Sequence, residues 1–172
     1  MIEQAVARAV NASSQIPAIN DFLGPEIILV PAPRSAPLRD HAALWPGRLI
    51  CESLTTHGLG RVTLPCLSRT EAVPKSAVAR PGERATAERH METMAVEKRI
   101  IDRSRITIVD DVVTKGRTLF AAASLMQAAY PEVDVRVFAL VRTCGLTPEV
   151  DKILDPCVGE IRFLDGDVDR EP

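Results

Sequence analysis

The stretch Arg105 to Gln127, RITIVDDVVTKGRTLFAAASLMQ, constrains this chain most, because it sets an unbroken apolar run, two adjacent acids, a small polar loop with glycine and an alanine-rich run in immediate succession. A short apolar run without alternation is the pattern of a strand buried on both faces, so Arg105 to Val109 reads as a core strand. Asp110 to Gly116 reads as a turn. Thr118 to Ala129 reads as a helix that stops before Pro131, which cannot continue it. Val133 to Val141 alternates and then becomes continuously apolar, as expected of a further strand. Strand, helix and strand in that order predict a right-handed βαβ unit, hence an α/β fold with a central parallel sheet flanked by helices.

Upstream, residues 2–12 carry Ile2, Val6, Ala9 and Val10 at helical spacing and predict a short packing helix. Glu26 to Val30, between Gly24-Pro25 and Pro31, predicts a first core strand. The loop Pro31 to Asp40 holds three prolines with Arg34 and Arg39, and His41 to His57 reads as helical on both sides of Pro46-Gly47. Arg61 to Leu67 is a second strand candidate and Thr93 to Val96 a short extended return. Between them, residues 68–92 hold Arg69, Lys75, Arg80, Arg84, Arg89 and His90 with little apolar periodicity, which reads as an exposed, mobile, basic excursion. Gly159 to Leu164 suits a short edge strand. Asp165, Asp167 and Asp169 read as a solvated tail, since the other ligands of a calcium loop do not follow them.

With 172 residues and 46% hydrophobic content, one domain of residues 1–172 has enough apolar material for its own core. A net charge of -2 argues against a general nucleic-acid surface, which rests on a basic face that replaces counterions. Cys51, Cys66, Cys144 and Cys157 show neither a CxxC pair nor metal-ligand spacing with the histidines, and read as reduced buried thiols. His41, His57 and His90 read as surface or hydrogen-bonded side chains, and Trp45 as core or a dimer contact. The N-terminus lacks the uninterrupted apolar core of a signal peptide, and no run approaches the ~20 apolar residues that span a bilayer. The expectation is a cytoplasmic protein without a membrane segment.

Acids at a strand's carboxyl end, followed by a loop and a helix, stand where open α/β sheets bind ligands. Gly116 allows backbone conformations closed to other residues, so successive N–H groups from Thr114 to Thr118 can converge on a phosphate. The helix that follows adds its N-terminal dipole, and Thr114 and Thr118 add hydroxyls. Asp110 and Asp111, a few residues upstream, suit the neighbouring hydroxyls of a sugar. The expected ligand is a sugar 5-phosphate. A response-regulator receiver also has adjacent acids at a strand end, but after its first strand, far from position 110.

The same string resembles the signature of type I phosphoribosyltransferases: a buried strand, two acids, two variable residues, Thr-Thr-Gly, one variable residue and Thr. It departs at Lys115, where a second threonine is commoner, and adds positive charge there. More widely, over residues 26–143, the chain resembles the competence-associated (ComF-type) branch, in which a first strand ends in a Val-Pro-x-Pro loop followed by arginines, as in Val30-Pro31-Ala32-Pro33-Arg34 with Arg39. A basic hairpin comparable to Lys75 to Arg84 with Arg89-His90 follows it.

The resemblance implies binding of phosphoribosyl pyrophosphate, with Asp110 and Asp111 on the ribose hydroxyls and Thr114, Lys115, Gly116, Arg117 and Thr118 around the 5-phosphate. Arg34, Arg39 and Arg80 would bind the pyrophosphate, while Asp110 and Asp111, together with Lys75 and Arg84 on the flexible hairpin, would act in catalysis. Magnesium is the implied cofactor, held by Asp110 and Asp111 indirectly through ribose oxygens or water. A nitrogenous base or an amine is the implied acceptor, under a small or reduced hood, and a homodimer is the implied assembly. The competing expectation is a non-catalytic protein that keeps the pocket for regulation, DNA uptake or genome defence. The Asp pair and the basic hairpin favour the enzyme, because a scaffold has no need of them.

Overall fold

The computed structural model describes residues 2–40, 43–74, 84–102, 105–143 and 156–171. Helices α1 (Ile2–Ser13) and α2 (Pro17–Leu23) lead into strand β1 (Ile28–Pro31), followed by α3 (Pro46–Thr56), β2 (Val62–Thr63), β3 (Leu67–Arg69), α4 (Ala87–Glu92) and β4 (Met94–Val96). Then come β5 (Arg105–Val113), α5 (Arg117–Ala129), β6 (Asp134–Arg142), β7 (Glu160–Leu164) and β8 (Asp167–Glu171). A parallel sheet in the order β2-β1-β5-β6 forms the centre, and helices cover both its faces, which is the α/β architecture expected from the sequence.

The two faces follow from the alternation of side chains along β1 and β5. Ile28, Val30, Ile106 and Ile108 pack with Leu119, Ala121, Ala122 and Met126 of α5. Leu29 and Val109 pack on the other side with Val6, Leu23, Ile50 and Leu54 of α1, α2 and α3. Small residues on α5 let the helix lie close to the sheet. On the opposite face Gly47 does the same for α3: a Cβ there would lie 3.0 Å from the Val109 carbonyl oxygen and 3.2 Å from that of Ala32.

Several boundaries differ from the sequence expectation. Pro31 belongs to β1, not to the loop after it. The neighbour β2 pairs only with Ile28 and Leu29, so no partner on that side needs the N–H that proline lacks. The Arg61 to Leu67 candidate divides: Val62–Thr63 joins the parallel sheet, whereas Leu67–Arg69 pairs antiparallel with β4 in a separate ribbon. The segment after Pro46 is helical, but residues 43–45 before it are not, and His41 lies outside the described residues. α2 has no counterpart in the sequence reading.

β5 runs on through both acids to Val113, with Asp110 opposite Ala139 and Val113 opposite Arg142. The turn shrinks to Thr114–Gly116 because β6 keeps offering ladder partners and Val112 and Val113 suit a strand. Among the described residues no helix is long and apolar enough to cross a membrane.

Two corrections bear on the site. The stretch 68–92 is not an exposed excursion throughout: Arg69 is 5% and His90 2% exposed, since the β3-β4 ribbon and α4 fold them inward. Residues 75–83 of that stretch, with Lys75 and Arg80, lie outside the described residues. Nor are the acids after Leu164 a solvated tail. β7 and β8 form an antiparallel hairpin, turning at Asp165-Gly166, and Asp167 is ion-paired.

Candidate functional site

The carboxyl ends of β1 and β5 open into one cavity of about 500 Å³. Its walls bring together Arg34, Arg84, Asp110, Asp111, Thr114, Lys115, Gly116, Arg117 and Thr118 of the site residues expected from the sequence, together with Trp45, Arg69 and His90, to which the sequence reading gave no site role. Arg39 is exposed and lines a separate shallow hollow with Arg34 and Asp40.

The loop between β5 and α5 has the geometry of an anion cradle. Gly116 takes φ +88°, the left-handed region, and is the N-cap of α5 without a side-chain cap. The first-turn N–H groups of α5 are therefore left unpaired by the helix itself. Among the described residues, no protein acceptor receives the backbone N–H groups of Lys115, Gly116, Arg117 or Thr118. Donors at a helix N-terminus, added to the dipole of α5, favour a negatively charged oxygen group.

Asp110 and Asp111 stand upstream on the same strand. The Asp111 N–H donates to Oδ1 of Asp110 at 3.0 Å and the Val112 N–H to Oδ1 of Asp111 at 2.9 Å. Burial first, and then the neighbouring Asp111 charge, push the Asp110 carboxyl well above the usual carboxylate range. The native protein thus holds a proton that the unfolded chain releases, and this group's contribution to stability falls as pH rises from the ordinary carboxylate range upward. Asp111→Asn is expected to move the Asp110 titration down without normalising it, because burial remains. Side-chain carboxyl NMR across a pH series checks this, and an unmoved midpoint would exclude Asp111 as a cause.

Across the cavity, Arg69 is a buried cation whose described hydrogen-bond partners are all neutral. Its Nε donates to the Arg34 carbonyl at 2.9 Å, Nη1 to Thr93 Oγ1 at 2.7 Å, and Nη2 to His90 Nδ1 at 3.2 Å. Desolvation lowers its pKa to about 10, still protonated at neutral pH. Because a guanidinium only donates, His90 Nδ1 accepts, and the imidazole proton sits on Nε2, 3.5 Å from Thr118 Oγ1. Burial, then the charges of Arg69 and Arg117, push His90 down to about 4, so it stays neutral. Arg69 thereby ties the loop after β1 to α4, and His90 reaches Thr118 at the start of α5. The signal missed in the sequence was position: Leu67-Ser-Arg69 pairs with Met94–Val96, which turns Arg69 inward.

Trp45 is half-buried at the cavity wall, with its indole N–H donating to the Ala32 carbonyl at 2.7 Å. Cys51 and Cys66 are buried thiols whose pKa values burial raises, Cys66 to about 11, whereas Cys157 is exposed. Cys144 lies outside the described residues.

No protein-family model matches the chain, and neither does any curated protein. Solved structures do. The xanthine-guanine-hypoxanthine phosphoribosyltransferase of Helicobacter pylori is similar at 15% identity and a TM-score of 0.46, over 86% of this chain and 77% of that one. A hypoxanthine phosphoribosyltransferase from Staphylococcus aureus is similar at 12% identity and a TM-score of 0.45, over 83% of this chain and 65% of that one. An adenine phosphoribosyltransferase is similar at 18% identity and a TM-score of 0.46, over 82% and 71% of the two chains. The solved structures to which this chain is similar include these three phosphoribosyltransferases, at identities between 12% and 18%.

Proposed function

We propose that the protein binds phosphoribosyl pyrophosphate in this cavity and transfers the phosphoribosyl group to a nitrogenous base or an amine. The observation that carries the reading is the joint presence, in one cavity, of an N–H cradle at Lys115 to Thr118, paired carboxylates at Asp110 and Asp111, and a buried cation at Arg69. The cradle suits a terminal phosphate, the carboxylates suit the ribose diol, and the cation suits a second anionic group at the other end of the sugar.

In the transfer, the bond from ribose C1 to pyrophosphate breaks with its electron pair on the leaving oxygen, and the acceptor nitrogen bonds to C1 and loses a proton. Positive charge develops on the ring and negative charge on the leaving group. In our reading Asp110 and Asp111 would face the ring charge, while Arg69, Arg34 and Arg84, which line the same cavity, would face the leaving group. Preorganised donors of this kind contribute about 3–4 kcal/mol each in the best cases. In our reading Lys75 and Arg80 add to them.

Asp110 and Asp111 would hold magnesium indirectly, through ribose oxygens or water, since magnesium keeps several waters and substrate phosphate in its shell. Burial first, and then the Asp111 charge, raise the Asp110 pKa, and a dication nearby would relieve the second of these. When bound there it would neutralise the pyrophosphate charge. The Val30 to Arg34 loop is what links this reading to the competence-associated branch.

The test is a calorimetric titration with phosphoribosyl pyrophosphate, with and without magnesium, beside the Asp110→Asn, Asp111→Asn double variant. Trp45, the single tryptophan, reports occupancy by its emission. Magnesium-dependent, saturable binding that the double variant loses is expected, followed by pyrophosphate release when the right base or amine is added. No binding to the wild-type protein would overturn the reading.

A further inference from the structure

The hairpin of β7 and β8 sits on the phosphate loop itself. A Cβ on Gly116 would lie 2.7 Å from Cδ1 of Ile161, so the hairpin closes the side of the loop toward which that Cβ would point. Asp167 takes Arg117 side-on, with Oδ1 2.6 Å from Nε and Oδ2 2.6 Å from Nη2, and takes Lys115 Nζ at 3.1 Å. The Val168 N–H fixes that carboxylate at 2.7 Å, and the Val168 side chain is 1% exposed. Arg170 Nε donates to the Thr114 carbonyl at 2.8 Å and its Nη2 to the Thr143 carbonyl at 2.7 Å. Phe163 stacks on Phe120 of α5 with ring centroids 5.8 Å apart. Thr114, Lys115 and Arg117 are thus each held from the hairpin, and Gly116 lies beside Ile161.

Resting on the reading of this loop as a phosphate site, we propose that Asp167 is a positioning residue for the sugar phosphate, holding the Lys115 and Arg117 side chains so that the anion is gripped by the fixed N–H groups of the loop. Arg117 and Lys115 flank Gly116 on flexible stems. With both engaged by one carboxylate, their charges do not swing freely toward the anion, and the loop backbone stays ordered before the ligand arrives. The site then recognises a phosphate by geometry more than by net charge. This also accounts for the lysine at position 115, whose ammonium has a defined partner in Asp167. Arg117 Nη1 further reaches the Ala85 carbonyl at 3.5 Å, which links the hairpin to the segment leading into α4.

The experiment compares the wild-type protein with Asp167→Asn and Asp167→Glu in two ways. Backbone amide order parameters of residues 114–118 are measured by NMR relaxation without ligand, and ribose 5-phosphate affinity is measured by calorimetry at low and high salt. Asp167→Asn is expected to lower those order parameters, weaken ribose 5-phosphate about tenfold and steepen the salt dependence, as freed side chains contact the anion as point charges; Asp167→Glu restores most of each. Arg170→Met, which spares Asp167 but frees the Thr114 carbonyl, should lower the same order parameters. Unchanged order parameters overturn the proposal, and so does tighter binding by Asp167→Asn, which would make the carboxylate a competitor for the site. If the wild-type protein fails to bind ribose 5-phosphate, the phosphate reading falls, while the order parameters still decide whether Asp167 orders the loop.

Discussion

Gly116→Ala is expected to cost about 2–4 kcal/mol of stability and to lower ribose 5-phosphate affinity more than a hundredfold. Two costs act at once. A left-handed backbone at φ +88° is about 1–2 kcal/mol worse for any residue with a Cβ. The new methyl group would also meet three atoms of Ile161 within 3.2 Å. The hairpin must retreat or the loop must flip, and each disturbs the N–H groups that converge on the anion. In a protein of this size 1 kcal/mol moves the melting temperature by about 2–4 °C, so a fall of about 10 °C is the expected readout. Ile161→Ala in the same chain should return part of the stability by removing the collision, yet leave the backbone strain. A Gly116→Ala protein that melts and binds like the wild type would show that the left-handed turn is not needed.

The second large effect lies in the core beneath the sheet. Leu29 is fully buried in β1 against α1, α2 and α3, and Leu29→Ala should cost about 3–4 kcal/mol, the lost burial plus the cavity it leaves. Gly60→Ala should also destabilise, by about 2–3 kcal/mol, because its φ is +75° and its Cβ would lie 2.5 Å from Cγ and Cδ1 of Leu29. The two changes oppose each other in space, since one empties the volume that the other fills. The double variant should therefore be more stable than the sum of the single losses implies, by about 1 kcal/mol, in a denaturant-unfolding double-mutant cycle. Strict additivity would mean that the Gly60 penalty is all backbone strain.

The βαβ unit was legible because its signals are local. Ile106, Ile108 and Val109 lie within four residues, the acids adjoin them, and Gly116 precedes an alanine-rich helix whose small faces fit a sheet. The loop between β5 and α5 could thus be assembled from neighbours in the chain. The other walls of the cavity depend on distant partners. Arg69 stands among charged residues and reads as solvated, and His90 as surface or hydrogen-bonded, yet the β3-β4 ribbon and the Arg34 carbonyl draw Arg69 inside, where it meets His90. Nothing in the local pattern announces that pairing. The C-terminal hairpin was harder still. From Glu160 to Glu171 only Val168 is buried, so the strands carry little hydrophobic alternation, and Asp167 meets Arg117 across 50 positions of sequence. α2 escaped notice because seven residues opening with Pro17 give too few turns for a periodicity to emerge.

The neutral surroundings of Arg69 have a practical consequence for anyone who purifies the protein. A cation held out of water without a described carboxylate partner raises the energy of the folded state, and an anion that reaches the cavity wall lowers it again. Ligands that bind only the folded form add stability in proportion to the logarithm of their concentration, so dialysis buffer becomes part of the sample's identity. Melting curves recorded in phosphate are therefore expected to lie above those recorded in an amine buffer, and equal midpoints would show that phosphate does not reach Arg69.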